Sequence, residues 1–257
     1  MKEIFLVKLG GSVITDKKTP YNANKDTIRR LAKEILQSKK NVVIAHGSGS
    51  FGHPSAVKYG GKKGYKSKLG LAKVARDAME INRIVMEILV EEGLPAVSFR
   101  PMSMVFSEKG KTKENFFQVI KAAVSQGFIP VVYGDVIMDK NWKTTIHSGE
   151  NTLNEIGIYL RKNGFLVNRI IQAGKTSGVY DGNGKTIPQI SKNTWPKFKK
   201  FVNKLKVKDV TGGMLHKIEE SLQMTEFGIT TILVNGETKK ELLKALAGKK
   251  VEGTLIK

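Results

Sequence analysis

Residues 4–12 read IFLVKLGGS and residues 41–53 read NVVIAHGSGSFGH, and the fold follows from these two stretches. Each is a short apolar run that ends in a glycine-rich turn. Residues 4–8 predict a strand, and the unbroken run at 41–45 is the kind found in strands covered on both faces. Between them, residues 25–39 set Ile28, Leu31 and Ile35 on one face, which predicts a helix. Strand, helix and strand in this order make the unit of a parallel sheet. Ligands of such sheets bind beyond the carboxyl ends of the strands, where both glycine turns fall.

The same alternation runs outward along the chain. A helix is predicted at 69–89, with Ala72, Ala75, Met79, Asn82, Val85 and Met86 on its inner face. There follow a strand at 96–99, a helix at 114–125, a strand at 129–133 and a hairpin over 136–146 that turns at Lys140-Asn141. The second half gives a helix at 152–162, a strand at 168–173, a turn-rich segment at 180–185 and a helix at 213–227. A strand at 230–234, a helix at 239–247 and a closing edge strand at 253–256 complete it. The expected fold is a three-layer α/β/α sandwich with a mostly parallel central sheet. A division into two lobes is expected near residue 165.

Composition narrows the function. The 257 residues carry 44 Lys+Arg against 23 Asp+Glu, a formal charge of +21, and no cysteine. Without cysteine there is no disulfide, thiolate metal site or cysteine nucleophile. The longest charge-free run, 122–134, is short of the ~18–20 residues that span a bilayer. The first apolar run meets Lys8 too soon for a signal peptide, so a cytoplasmic protein with no membrane partner is expected. Lysines crowd 58–73 and 192–208. In the second stretch Trp195, Phe198, Val202 and Leu205 recur at helical spacing, which makes the lysines the wet face of a helix rather than a nucleic-acid surface.

A third glycine turn, Asp209-Val210-Thr211-Gly212-Gly213-Met214, opens the helix that carries Lys217. Glycines bring backbone N–H groups close to an anion, and a helix N-terminus adds partial positive charge. Three such turns point to a ligand with several phosphates. Gly47, Gly49 and Gly52 match the dinucleotide fingerprint, but the acidic residue it requires is missing, since Asp77 lies inside a helix. The same loop fails as a Walker A motif because His53-Pro54 stands where Lys-Ser/Thr is needed.

The three turns, in this order and spacing, resemble the amino acid kinase superfamily. Within it, residues 46–56 (HGSGSFGHPSA) resemble the isopentenyl phosphate kinase family, whose glycine-rich loop ends Phe-Gly-His-Pro. The likeness extends over KLGGSVITDK at 8–17, PVVYGDV at 130–136, Ser148-Gly149, Gly178-Val179-Tyr180 and DVTGGMLHK at 209–217. It implies ATP-dependent phosphorylation of isopentenyl phosphate, with Mg²⁺ and a homodimer. By position, Lys8, Gly10, Gly11 and Ser12 would cradle the ATP phosphates and Lys17 would stabilise the transferring phosphoryl group. His53 would hydrogen-bond the acceptor phosphate, with Gly47 and Gly134 shaping that site. Gly213 and Lys217 would bind ATP from the other side, and Ser48 and Lys175, where the chain departs from the family, are expected beside the ATP phosphates. The acceptor would bind in a lobe of about 1–165 and ATP in a lobe of about 166–257.

The chain departs from that pattern in places. Ser48 replaces a glycine, Glu150-Asn151 replaces an aspartate pair, and residues 174–180 (GKTSGVY) lose two aspartates and gain Lys175. Two rival readings go with these departures. One is a related kinase with another small acceptor. The other is a catalytically weakened homologue that binds a nucleotide or nucleic acid.

Overall fold

The computed structural model describes residues 1–16, 18–204 and 213–257. Strand β1 (Glu3–Leu9) runs into the one-turn helix α1 (Gly11–Ile14), and α2 (Lys25–Ser38) returns the chain to β2 (Val42–His46). Helix α3 (Gly49–Tyr59) and the small hairpin β3 (Gly60–Gly61) and β4 (Gly64–Tyr65) lead to the long helix α4 (Lys68–Glu91). Next come β5 (Ala96–Ser98), α5 (Pro101–Met104), β6 (Val105–Glu108), β7 (Lys111–Asn115) and α6 (Gln118–Ser125). Strand β8 (Ile129–Tyr133) precedes the hairpin β9 (Asp135–Asp139) and β10 (Lys143–His147), and α7 (Gly149–Lys162) connects to β11 (Leu166–Gly174). The chain closes with β12 (Gln189–Ile190), α8 (Trp195–Lys204), α9 (Gly213–Met224), β13 (Thr230–Asn235), α10 (Glu241–Leu246) and β14 (Gly253–Ile256).

Eight strands form the main sheet in the order β12-β14-β13-β11-β1-β2-β8-β5. All neighbours are parallel except β13 and β14. Strand alternation sends side chains to the two faces in turn. Phe5, Val7 and Leu9 of β1 join Val42 and Ile44 of β2 in one core with α2, α4 and α10. Ile4 and Leu6 join Val43 and Ala45 in the other, against α6 and α7. This is the expected three-layer α/β/α arrangement. A separate sheet, β10-β9-β6-β7, stands beside it. No helix among the described residues is long and apolar enough to cross a membrane.

Four expectations need correction. The helix placed at 114–125 starts at Gln118, because residues 111–115 pair with β6 as a hairpin. Strand β14 is not the sheet edge, since β12 adds one more strand outside it. The loop at 46–54 turns into α3 by Gly49 and carries Pro54 inside that helix. On α4, Ala72 and Met79 face solvent, and the inner face is Leu71, Val74, Ala75, Ala78, Ile81, Asn82 and Val85. Helix α8 behaves as read: Trp195 and Val202 are buried, while Lys197, Lys199 and Lys200 are exposed. Leu205 lies outside the described residues.

Candidate active site

The first two glycine turns meet backbone to backbone above the ends of β1 and β2. Gly10 N–H donates to the Ala173 carbonyl at 2.8 Å, and Gly47 N–H to the Leu9 carbonyl at 3.1 Å. A Cβ on Gly11 would lie 2.7 Å from Gly49 N, and one on Gly47 would lie 2.8 Å from Gly11 N. Gly49 has φ of +47° as well, and a Cβ there would strike the Thr15 hydroxyl. No side chain fits where these turns touch. Ser48 does carry one, and its hydroxyl donates to the Gly134 carbonyl at 2.9 Å, tying the second turn to the end of β8. Gly52 leaves the room for it, since a Cβ at Gly52 would be 2.6 Å from that of Ser48.

Charge gathers behind the turns. Lys8, buried on β1, places its ammonium 2.6 Å from Glu150 Oε1 in the first turn of α7. Ser148 caps that helix by accepting the Asn151 N–H at 3.0 Å. Lys217 of α9 lies 3.8 Å from the same Glu150 oxygen. One carboxylate thus aligns two cations from opposite sides of the site. Glu220 sits one helical turn beyond Lys217 on α9. Burial first, then the nearby Glu150 carboxylate, push the Glu220 carboxyl up to about 7.

These groups line one continuous cleft of about 300 Å³. At one end stand Lys8, Gly10, Gly11, Ser12, Gly47, Ser48 and Lys217. Half-buried His53, early in α3, lines it next to Gly52. Beyond it the wall turns apolar: Ala56, Val74, Ala78, Val136 and Ile146. Val74 and Val136 belong to a small cluster of their own that is packed on by Ala56, Tyr59 and Ile146. Backbone donors and two lysines suit a polyanion at the first end. The far end suits hydrocarbon.

The amino acid kinase family model matches residues 3–235. The chain belongs to the amino acid kinase family. It is 31% identical to isopentenyl phosphate kinase of Methanothermobacter thermautotrophicus, over 98% of both chains. It is 33% identical to isopentenyl phosphate kinase of Methanocaldococcus jannaschii, over 98% of this chain and 97% of that one. A crystal structure of an isopentenyl phosphate kinase superposes with a TM-score of 0.83 at 28% identity, over 99% of this chain and all of the other.

Most residues named from the sequence meet in this amino acid kinase cleft: Lys8, Gly10, Gly11, Ser12, Gly47, Ser48, His53, Gly134 and Lys217 all line it. Gly213 begins α9 with φ of +60° and lies outside the lining. Lys175 is not in the lining either; its ammonium is 3.4 Å from Glu237. Lys17 and residues 209–212 lie outside the described residues. Four ionisable lining residues were not singled out in the sequence reading: Lys62, Asp135, His216 and Glu220. Asp135 is buried and bonded to Arg100 Nε at 3.2 Å, and burial pushes its carboxyl up against that pull. Glu220 had a signal, its spacing of three from Lys217 on one helix.

The shift at Glu220 makes folding depend on pH. The folded chain holds that proton more tightly than the unfolded one, whose carboxyl titrates near 4.5. Stability contributed by the bound proton is therefore full at low pH and is lost as pH rises through the window up to about 7. Glu220→Gln is expected to flatten that part of the profile of Tm against pH and to raise Tm at pH 8. An unchanged slope between pH 5 and 7 would show that Glu220 does not titrate there.

Proposed function

We propose that the chain transfers the γ-phosphoryl group of ATP to isopentenyl phosphate, giving isopentenyl diphosphate and ADP. The observation that carries this reading is the two-ended cleft. Glycine turns and lysines stand at one end and an apolar slot at the other, with His53 lining the cleft beside Gly52. An acceptor with a charged phosphate and a hydrocarbon tail fits that polarity, whereas an amino-acid acceptor would bring a charged ammonium against Val74, Ala78 and Ile146. The names of the two relatives agree with it.

The acceptor phosphate oxygen attacks the γ-phosphorus. The bond from that phosphorus to the β,γ-bridging oxygen breaks, and ADP leaves with the electron pair. The attacking oxygen is already anionic, so no covalent enzyme nucleophile is required. Catalysis then reduces to positioning and to charge stabilisation. The turn N–H groups other than those of Gly10 and Gly47, which bond Ala173 and Leu9, and the ammoniums of Lys8 and Lys217 face the transferring group, with Glu150 holding the lysines at their separation. His53 anchors the acceptor phosphate. Lys17, for the transferring phosphoryl group, and Gly213, for ATP, take their roles from the family resemblance, and Lys175 is assigned to ATP where the chain departs from it.

Among the described residues no cluster of three or more His, Asp or Glu side chains could cage a metal. Mg²⁺ bound with ATP would neutralise part of the phosphate charge. The two-lobe division near residue 165 and a homodimer belong to the same proposal and rest on the resemblance, and a cytoplasmic location, expected from the sequence, belongs with them.

The test is ADP release with Mg²⁺ and ATP, comparing isopentenyl phosphate, inorganic phosphate, N-acetylglutamate and no acceptor. Turnover that needs the prenyl phosphate supports the reading. Turnover with N-acetylglutamate in its place, or none with any acceptor while ATP still binds, overturns the acceptor assignment.

A further inference from the structure

His46 ends β2 and heads the second glycine turn, yet its ring lies outside the cleft and is fully buried. It stacks on Tyr133 with centroids 5.6 Å apart and planes 15° from parallel. Nδ1 lies 3.1 Å from the Gly47 carbonyl oxygen. Nε2 lies 3.1 Å from Asn82 Oδ1, and Asn82 Nδ2 donates to the Ser98 hydroxyl at 2.8 Å. The His46 carbonyl accepts the Gly134 N–H at 3.1 Å. Burial lowers the pKa of the ring, so it is neutral near pH 7 and carries a single N–H.

Which nitrogen holds that proton follows from its partners. A backbone carbonyl can only accept. The Asn82 amide can turn over to present its nitrogen to Nε2, and the Ser98 hydroxyl can donate to the oxygen then facing it. Every partner is satisfied only when the proton sits on Nδ1 and the Asn82 amide is turned in this way.

We propose that His46 is a positioning residue of the phosphate-binding turn: its Nδ1–H holds the Gly47 carbonyl inward and so aims the Ser48 N–H into the cleft. Among the described residues there is no cis peptide bond, and in a trans peptide the C=O and the next N–H point opposite ways. The Ser48 N–H donates to no acceptor among the described residues, and Gly47, Ser48 and Gly49 all line the cleft. Gly47, lacking a Cβ, has little of its own to resist a peptide flip. Flipped, that peptide would aim a carbonyl oxygen at the phosphoryl oxygens and replace attraction with repulsion. The ring also reaches α4 through Asn82, and so ties the turn to the helix that walls the apolar slot.

The inference rests on the phosphoryl-transfer reading, and the experiment separates the two. In protein labelled with ¹⁵N-histidine, NMR is expected to find the His46 proton on Nδ1; a proton on Nε2 would overturn the proposal whatever the acceptor. In kinetics, glutamine places its amide near the Nε2 position and asparagine near Nδ1. His46→Ala and His46→Gln are expected to lose on the order of 100-fold in kcat, as for loss of one aimed backbone donor. KM for either substrate should stay within about threefold. His46→Asn should recover most of the lost kcat. If the asparagine and glutamine variants fall together, in step with Tm, the residue is merely structural and the proposal fails. If wild type shows no turnover with isopentenyl phosphate, the acceptor reading fails. The His46 proposal is then decided by the Nδ1 proton and by a Ser48 amide resonance that Mg²⁺-ADP shifts in wild type but not in His46→Gln.

Discussion

Acceptor-dependent ADP release by His53→Ala is expected to fall by about two to three orders of magnitude in kcat/KM, the range for removing one aimed donor from a reacting oxyanion. His53 stands four residues into α3, half-buried, and lines the cleft with Gly52 before it and Ala56 after it on the same helix. A phosphate whose hydrocarbon tail lies along Ala56, Val74 and Ile146 has its charged head beside this imidazole. Alanine keeps the helix and removes only the ring, so Tm should hold. ATP affinity, measured by calorimetric titration without acceptor, should hold as well, because the glycine turns and Lys8 are untouched. His53→Gln keeps an N–H donor near the Nε2 position and should recover part of the rate. A His53→Ala enzyme within a few fold of wild type would remove the residue from the reaction.

Lys8→Met should produce the other large effect, and a compound one. The ammonium of Lys8 is 2.6 Å from Glu150, with both side chains largely buried. Its removal leaves Glu150 facing Lys217 across 3.8 Å with Glu220 close by. Breaking a buried ion pair by deleting one partner costs about 3–5 kcal/mol. Turnover should fall by about a thousandfold, since a cation beside the developing charge is lost along with the alignment of the second lysine. Adding Glu150→Gln to Lys8→Met removes the carboxylate that lost its nearer cation and should restore most of the stability without restoring turnover. Recovery of both together would mean that Lys8 serves the fold alone.

Periodicity in the sequence located much of the scaffold. The helix read at 25–39 spans Lys25–Ser38, and the strand read at 4–8 spans Glu3–Leu9. Failures came where tertiary pairing outweighs local composition. Residues 114 and 115 were read as the start of a helix, yet they pair with Phe106 and Val105 of β6 and belong to β7. Gly49–Tyr59 contains two glycines and a proline and reads as loop, but packing beside α4 and α1 makes it a helix. The turns and lysines of the site were legible because anion binding demands glycine and cations at strand ends. Glu220 and Asp135 were not, since their importance lies in burial beside other charges, which one dimension does not display. Lys175 was expected to meet a phosphate where the family's aspartates are lost; its ammonium lies 3.4 Å from Glu237 on the surface.

The contact between Gly11, Gly47 and Gly49 also bears on how such a protein can be re-engineered. Two loops separated by more than thirty positions in sequence behave as one manufactured part, each moulded on the bare main chain of the other. Grafting either loop alone from a distant homologue would bring a mismatched surface against its counterpart. The pair travels together or fails to seat. The apolar slot has no such interlock, since it is built from ordinary side chains on α3, α4 and the β9–β10 hairpin. Libraries aimed at new acceptors therefore belong at the slot, with both loops exchanged as a unit or left alone.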